Sequence, residues 1–286
     1  MGYTKHFFIE IKETPQGFVI RRGTMEHINS LVHKKNYTTQ SDESFNETLR
    51  STFKTSGKKD ALIFIHGLWA YSRPMAYHLL QFDKHVIQKT DSNIAFTLNI
   101  IWHTPMPSYF FSRWQCQRLA LAIAPIFWNA MHNLLKIKGL EPRLHLLCHS
   151  MGNYFFENLL QSKPKNQTEV FQQILLVAAD VDIDFFEKYI DDMKSLTQRV
   201  VLINNKNDVL LKVSRYLNRM RRLGIAPPQY FERFHPFLKA TEISEVDDVR
   251  NLIALSGQHI YYNASVKVLT YIKSLLEGGE VKAVIK

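Results

Sequence analysis

The sequence predicts an α/β fold with a mostly parallel central sheet flanked by helices, and three observations lead to it. Short apolar runs ended by turn residues alternate with longer stretches of helical periodicity. This alternation is typical of parallel strands joined by right-handed helical crossovers. The length of 286 residues, with 45% hydrophobic and 22% charged residues, suits one folded domain with a sizeable core. We therefore expect a single domain over residues 1–286.

The first 60 residues are expected to form an N-terminal β-hairpin and a connecting segment. His6–Lys12 and Gly17–Arg22 alternate apolar and polar residues around a break at Pro15–Gly17, which is a hairpin signal. Residues 34–60 are polar, and we interpret them as a surface connection without an apolar stretch worth burying. At most, a short helix is expected near Glu43–Phe53.

From residue 61 to residue 276 the sequence predicts the core of the domain, built of alternating strands and helices. The predicted strands are short apolar runs: Ala61–His66, Ile94–Trp102, Arg143–Cys148, Ile174–Ala179 and Arg199–Asn204. The predicted helices have helical periodicity: a stretch after Pro74, Arg113–Lys138, Gly152–Gln161, Asp184–Ser195 and Tyr261–Glu277. The Pro- and aromatic-rich segment Thr104–Phe111 is predicted as a loop. Between the last strands there is no insertion long enough for a large cap domain.

Charge and cysteine content limit the expected partners and compartment. Lys and Arg number 36 against 26 Asp and Glu, a net charge of +10 that is compatible with anionic partners or with ordinary solubility. Cys116 and Cys148 cannot form a disulfide framework and lack metal-ligand spacing, so we expect reduced thiols, no metal and no cofactor. No signal peptide is recognisable, and the most apolar window, Leu119–Trp128, is too short to span a bilayer. A cytoplasmic location is expected.

The stretch Leu146–Asn153 is the most informative for function. An apolar strand runs into Ser-x-Gly, with Ser150 in the middle, and then directly into an amphipathic helix. A sharp strand-to-helix turn raises a serine hydroxyl above the sheet, and Gly152 lets the helix pack close to the strand. The new helix offers free N–H groups, that of Met151 first, to a developing oxyanion. The usual pattern has glycine two residues before the serine, where this chain has Cys148.

A second candidate element, His66-Gly67-Leu68, ends the first predicted strand of the core. The transition state of acyl transfer places negative charge on one oxygen, and two preorganised N–H groups stabilise it by several kcal/mol. The N–H of Leu68 is our choice for the second donor, because Gly67 would permit the necessary loop geometry. His66 is expected to pack beneath this turn, and His149 to lie near the core beside the serine.

The general base is expected to be a histidine late in the chain. His259 lies in a Ser-Gly loop before the last predicted helix, a position from which it can reach the carboxyl edge of the sheet. His235 competes for the role, but its His-Pro-Phe context in a Pro-rich loop suggests packing. We therefore assign the role of base to His259.

The acid that orients the histidine should follow a strand later than the one before Ser150. Asp208 follows the predicted strand Arg199–Asn204 and is our first choice. Asp180 and Asp182 follow the preceding strand and remain the alternative. With Asp208, the chain order is serine, aspartate, histidine, which matches the order found where a nucleophile sits on a strand-to-helix elbow.

With these residues the sequence resembles the α/β-hydrolase superfamily over roughly residues 60–276. More narrowly, it is similar to largely bacterial families of hypothetical α/β hydrolases with a His-Ser-Met-Gly-Asn elbow, present here at residues 149–153. Further matches are Ala178–Asp180 to an Ala-x-Asp strand end, Asp208–Leu211 to Asp-x-x-Leu, and Arg222–Gly224 to Arg-x-Gly. The resemblance implies the α/β-hydrolase fold and an ester-hydrolase-like activity without naming a substrate.

The function predicted from the sequence is that of a serine hydrolase. It would cleave a carboxylic ester or thioester of a small-molecule substrate through an acyl-enzyme on Ser150. One alternative is a non-catalytic binding module with the same fold. Another is binding of phosphates or an anionic surface through the basic stretch Lys212–Arg222. No recognised nucleic-acid module surrounds that stretch, so nucleic acid is not an expected partner, whereas peripheral membrane contact stays open.

Overall fold

The computed structural model describes residues 4–25, 37–68, 80–88, 92–103, 109–137, 139, 141–228, 231–234, 237–244 and 258–285. In chain order the strands are β1 Lys5–Thr14, β2 Gly17–Met25, β3 Tyr37–Thr39, β4 Asp60–Ile65, β5 Ile94–His103, β6 Arg143–His149, β7 Gln173–Val177, β8 Val200–Asn204, β9 Leu238–Ile243 and β10 Val284–Ile285. They form one sheet in the order β10-β9-β8-β7-β6-β4-β5-β1-β2-β3. Strands from β10 through β1 in this order pair in parallel, and β1–β2 and β2–β3 pair antiparallel. The predicted fold class is confirmed.

Helices cover both faces of this sheet. In chain order they are α1 Asp42–Ser56, α2 Tyr109–Leu135, α3 Met151–Gln161, α4 Phe185–Leu196, α5 Val209–Asn218, α6 Tyr261–Ala264 and α7 Val266–Leu276, with a π-helical turn at Asp83–Ile87 and a 3₁₀ turn at Phe231–Phe234. Helices α1 to α4 pack on one face, and α6, α7 and the π-helical turn on the other. Alternate strand residues point to opposite faces, so Ile63 joins the first core and Leu62 the second.

The predicted N-terminal hairpin is present and is part of the central sheet. His6 pairs with Met25 and Thr14 with Gly17 across the hairpin, while β1 also pairs in parallel with β5. The apolar residues Phe7, Ile9 and Ile11 of β1 are fully buried, and they belong to the core that the sheet shares with α1 and α2. The hairpin therefore extends the sheet on the side away from β6.

The expectation that residues 34–60 bury no apolar side chains was wrong. Helix α1 begins after Ser41, whose hydroxyl accepts the N–H of Ser44, and ends at Gly57 with φ 67°. Phe45, Leu49 and Phe53 recur every four residues and are buried against the sheet. Three apolar residues in a polar segment are enough for a buried face when they share one side of a helix.

Two other predicted boundaries differ from the structure. The loop predicted over Thr104–Phe111 ends earlier, since α2 starts at Tyr109; residues 104–108 lie outside the described part of the chain. The helix predicted over Tyr261–Glu277 is divided at Ser265, whose hydroxyl accepts the N–H of Val268 and begins a new helix. The start of the helix predicted after Pro74 falls within residues 69–79, which lie outside the described part of the chain. Among the described residues, no helix is both long and apolar enough to span a membrane.

Candidate active site

Ser150 lies on a tight turn between β6 and α3. Its backbone has φ 53° and ψ −126°, a conformation that non-glycine residues rarely adopt. The turn brings α3 against the end of β4, where a Cβ on Gly152 would lie 2.3 Å from the carbonyl oxygen of Ile65. The Asn153 amide group donates hydrogen bonds to the carbonyl oxygens of Ser150 (3.0 Å) and Cys148 (3.2 Å). The strained turn is thus fixed by a close glycine contact and by a buried asparagine.

Cys148 occupies the position where the usual elbow has glycine. Its side chain is completely buried and belongs to the core that β6 shares with α2 and α3. Burial raises the pKa of this thiol well above its ordinary value, so the sulfur stays protonated and behaves as a small apolar group. The turn therefore has room for a thiol at this position.

Ser150, His259 and Asp208 form a continuous chain of hydrogen bonds. The Ser150 Oγ lies 2.8 Å from Nε2 of His259, and Nδ1 of the same ring lies 2.7 Å from Oδ2 of Asp208. In the neutral tautomer with its proton on Nδ1, the imidazole donates to the carboxylate and accepts from the serine hydroxyl. Asp208 is fully buried, whereas Ser150 and His259 retain 8% and 6% of their surface exposed. The serine and histidine end of the chain therefore retains some exposed surface, and the aspartate end retains none.

The carboxylate of Asp208 is held in place by the start of α5. Asp208 is the N-cap of this helix, and its second oxygen accepts the N–H of Leu211 at 2.9 Å. The amide group of Asn205 donates to the backbone carbonyl of Gln258 (2.9 Å) and to its side-chain oxygen (3.0 Å). Asn205 thus ties the end of β8 to the residue before His259, a positioning contact that the sequence did not reveal.

The surroundings of His259 set its proton affinity. Burial disfavours the charged ring, but the charge and hydrogen bond of Asp208, with a contribution from the charge of Asp180, raise the pKa of His259 above its ordinary value. Beside it, burial and the neighbouring His259 lower the pKa of His149 well below the usual range. Neutral His149 donates its Nε2–H to the His259 carbonyl oxygen at 3.1 Å, and its ring lies 4.2 Å from the Tyr262 ring in a tilted arrangement.

The turn after β4 lies directly against Ser150. A Cβ added to Gly67 would be 2.8 Å from the Cβ of Ser150, so this close approach requires glycine. His66 is buried, and burial lowers its pKa to about 3. The backbone N–H of Trp102 donates to Nε2 of His66 at 3.3 Å, which leaves the proton on Nδ1 to donate to the carbonyl oxygen of Gly67. Because a trans peptide directs its C=O and N–H to opposite sides, the N–H of Leu68 points away from His66.

The alternative acids Asp180 and Asp182 belong to a separate polar network. Asp180 accepts the Tyr109 hydroxyl (2.6 Å) and the Ser214 hydroxyl (2.5 Å), and its carboxylate lies 3.2 Å from Nε of Arg222. The Arg222 guanidinium also pairs with Asp182. The network touches the serine turn through the backbone, because the Asp180 N–H donates to the carbonyl oxygen of Ser150 at 3.2 Å.

Tyr261 is a further positioning residue that the sequence did not single out. Its buried hydroxyl donates to the carbonyl oxygen of Ile203 (2.7 Å) and accepts the N–H of Ala178 (2.9 Å). It thereby joins the ends of β7 and β8 two residues after His259. Among the described residues, no group of three or more His, Cys, Asp or Glu side chains is arranged to hold a metal ion.

Comparison with protein families gives a match over most of this chain. Residues 41–275 match the family model described as alpha/beta hydrolase of unknown function (DUF900). The chain belongs to this family. The match includes the hydrogen-bonded residues Ser150, Asp208 and His259 and leaves out β1 to β3. Membership agrees with the parallel sheet and with the strand–turn–helix arrangement around Ser150, and it establishes the α/β-hydrolase fold.

Solved structures similar to this α/β hydrolase include two esterase-related proteins. An esterase from Pyrobaculum calidifontis is 8% identical, with a TM-score of 0.44 over 95% of this chain and 85% of that chain. A lipase-esterase related protein from Clostridium acetobutylicum is 12% identical, with a TM-score of 0.38 over 77% of this chain and 96% of that chain. No curated protein matches the chain by sequence.

Proposed function

We propose that this α/β hydrolase is a serine hydrolase that cleaves a carboxylic ester or thioester through an acyl-enzyme on Ser150. The observation that carries the proposal is the hydrogen-bonded chain from the Ser150 hydroxyl through His259 to Asp208. A serine is a weak nucleophile at neutral pH and needs an adjacent base, and that base needs a fixed tautomer. The three residues meet both requirements.

In the first step, the Ser150 Oγ attacks the substrate carbonyl carbon. The hydroxyl proton passes to Nε2 of His259, and Asp208 stabilises the resulting imidazolium through the Nδ1–H hydrogen bond. The 2.8 Å separation between Oγ and Nε2 is within the range for direct proton transfer. The raised pKa of His259 supports this role, because it makes the ring a stronger proton acceptor.

The oxyanion formed in this step would be stabilised by the N–H groups of Met151 and Leu68. The N–H of Met151 is in the first turn of α3, where backbone donors lack intrahelical acceptors. The Leu68 N–H is oriented by the hydrogen bond from His66 to the Gly67 carbonyl oxygen. Loss of one such donor typically reduces kcat by about 10²- to 10³-fold.

The second half of the reaction releases the acid. As the tetrahedral species collapses, His259 returns its proton to the leaving oxygen or sulfur, and the acyl group stays on Ser150. Water then attacks the acyl carbon while His259 accepts its proton, and Ser150 leaves with the proton restored. The reaction consumes one water and needs no metal or cofactor.

Hydrolysis of p-nitrophenyl esters with acyl chains of increasing length tests this function. We expect wild-type turnover for at least one chain length and its loss in Ser150→Ala. Ser162→Ala, at an exposed position at the end of α3, is the matched control and should keep wild-type rates. Equal rates in wild type and Ser150→Ala would contradict the proposal. The same acyl chains should also be offered as thioesters. If the wild type cleaves none of the esters and none of these thioesters, the result would favour a non-catalytic binding module.

A further inference from the structure

Helix α5 presents apolar side chains outward. Its inner side buries Leu211 and Ser214. On its outer side the exposed fractions are 41% for Leu210, 50% for Val213 and 84% for Tyr216. Leu217 on the same helix and Met220 just beyond it are exposed as well. We call these five residues, Leu210, Val213, Tyr216, Leu217 and Met220, the α5 stripe.

The α5 stripe forms a continuous face of the helix. At about 100° per residue, Leu210, Val213 and Leu217 follow the i, i+3, i+7 spacing that places side chains on one side, with Tyr216 at its border. In an ordinary surface helix this spacing marks the residues that face the core, and here it marks residues that face outward. An exposed apolar face of this kind indicates a contact with something outside the chain.

Cationic side chains border the stripe. Lys212, Arg215, Arg219 and Arg221 line a groove together with Tyr216, Leu217 and Met220, and none of the acidic residues that the structure describes lines it. From Val209 to Arg222 the sequence contains no Asp or Glu. Acidic residues Asp182, Asp184 and Glu187 line a neighbouring groove beside Arg219 and Arg221. Lys212 and Arg215 line the groove that Tyr216, Leu217 and Met220 share and not the acidic one.

The α5 stripe lies next to the candidate active site. Asp208 is the N-cap of α5 and holds His259, and Leu210 follows Asp208 by two residues. Ser214, on the inner side of the same helix, binds Tyr109 and Asp180, whose N–H reaches the carbonyl oxygen of Ser150. Whatever covers the stripe therefore contacts the helix that begins at Asp208 and holds the carboxylate hydrogen-bonded to His259.

We infer that α5 docks this protein on an anionic lipid bilayer. Apolar side chains that lie beside Lys and Arg on one helix are the pattern of helices that lie in a membrane interface, with the apolar residues below the headgroups and the cations among them. A nucleic acid would match Lys212 and Arg215 but leave Leu210 and Val213 without apolar partners. A second copy would bring together like charges on chains of net charge +10.

Flotation of the full chain with lipid vesicles tests the inference. We expect binding to vesicles of phosphatidylcholine with phosphatidylglycerol, weak binding to phosphatidylcholine alone, and a loss of binding as salt increases. Ser150→Ala should bind like wild type, since docking does not depend on the proposed hydrolysis. Failure of the hydrolase proposal and failure of the docking inference are thereby separate results.

Two pairs of variants locate the contact. Lys212→Gln with Arg215→Gln should weaken binding to anionic vesicles on the order of 30-fold, since each cation near such a surface adds about a factor of five. Val213→Ser with Tyr216→Ser should weaken it on the order of tenfold, because less apolar surface enters the interface. All four side chains are exposed, so the variants should keep the wild-type Tm.

Matched controls lie on other exposed helix faces. Arg50→Gln with Lys54→Gln on α1 removes the same charge, and Val266→Ser on α7 removes a side chain that is 55% exposed. Both should bind as wild type does. Three results would each overturn the inference. The first is an equal loss of binding in controls and stripe variants, and the second is equal binding to neutral and anionic vesicles. The third is a protein that does not bind vesicles but binds RNA or dimerises through the stripe residues.

Discussion

Asp208 and Asp180 follow neighbouring strands, β8 and β7, at the same edge of one sheet, yet the structure gives them different partners. One carboxylate oxygen of Asp208 accepts a hydrogen bond from the Leu211 N–H, and the other accepts one from the His259 ring. Asp180 accepts hydroxyl groups from two other elements and pairs with Arg222. A position after a parallel strand brings a carboxylate to the site, and the donors that surround it decide what it can do.

The two carboxylates also differ in the charge of their partners. The imidazole next to Asp208 is neutral whenever it can act as a base, so this carboxylate is free to stabilise a positive charge that appears during the reaction. Asp180 faces a guanidinium that is permanently charged and fully buried. We therefore expect Asp208 to act on the rate of catalysis and Asp180 to act on stability.

Neutralising each carboxylate in turn should produce the largest difference between the two. Asp208→Asn should lower kcat by about 10⁴-fold, because the amide favours the wrong imidazole tautomer. Asp180→Asn should leave kcat within about tenfold of wild type, because Asp180 contacts Ser150 only through the backbone. Steady-state kinetics on the best p-nitrophenyl ester measures both. A larger loss in Asp180→Asn than in Asp208→Asn would reverse the assignment.

The same variants should rank in the opposite order for stability. Asp180→Asn should lower the free energy of unfolding by about 3 kcal/mol, because it removes one of two carboxylates that compensate the buried Arg222 charge. Asp208→Asn should change it by less than about 1.5 kcal/mol, since the amide oxygen can still accept the Leu211 N–H. Urea unfolding followed by circular dichroism gives both values. If Asp180→Asn and Asp208→Asn unfold at the same urea concentration, the buried charge of Arg222 does not depend on Asp180 for its compensation.

A methyl group at Gly67 tests the close packing on the serine side of the site. Gly67→Ala should lower kcat by about 10²-fold, because the new Cβ would lie 2.8 Å from that of Ser150 and must displace the Leu68 N–H. Gly57→Ala, in the turn after α1, is a control in which the new Cβ meets no neighbouring atom; its positive φ adds local backbone strain away from the site and should leave kcat unchanged. The kcat of both variants is measured at saturating ester. A wild-type kcat in Gly67→Ala would exclude a tight turn at this position.

The smallest expected effect is on the pH profile. His259 has a raised pKa and cannot accept the serine proton below it, so the acid limb of kcat/KM should lie above the ordinary histidine value of about 6.5. Asp180→Asn removes a charge that raises this pKa, so it should move the limb to lower pH. Stability linked to His259 is full at acidic pH and declines as pH rises through the raised pKa. A limb below the ordinary value would contradict this account.

Much of the fold was predictable because local sequence patterns determine its strands and helices. The five predicted core strands appear because apolar runs such as Ile94–Trp102 are buried on both faces. By contrast, β9 was not predicted, since Lys239, Thr241 and Glu242 interrupt the apolar pattern of its sequence. Only Leu238, Thr241 and Ile243 of this strand are buried. Helix α1 was underestimated because three apolar residues at four-residue spacing are diluted by polar ones.

The candidate site was predictable to a smaller extent. The strand–serine–helix pattern locates Ser150, and the chain order suggests Asp208 and His259, which the structure brings within hydrogen-bonding distance. The alternative at Asp180 stayed open because its partners Tyr109 and Arg222 are distant in sequence. The contact between His66 and Trp102 likewise joins two strands, and no local pattern reveals it.

Covalent labelling of Ser150 tests the central claim most directly. A fluorophosphonate reacts with a serine only when a neighbouring base activates its hydroxyl. After treatment of wild type, Ser150→Ala and Asp208→Asn, intact-mass and peptide mass spectrometry should find one adduct on Ser150 in wild type. The adduct should be absent from Ser150→Ala and form much more slowly in Asp208→Asn. A wild-type protein that stays unlabelled, or an adduct that persists in Ser150→Ala, would contradict the assignment of Ser150 as nucleophile.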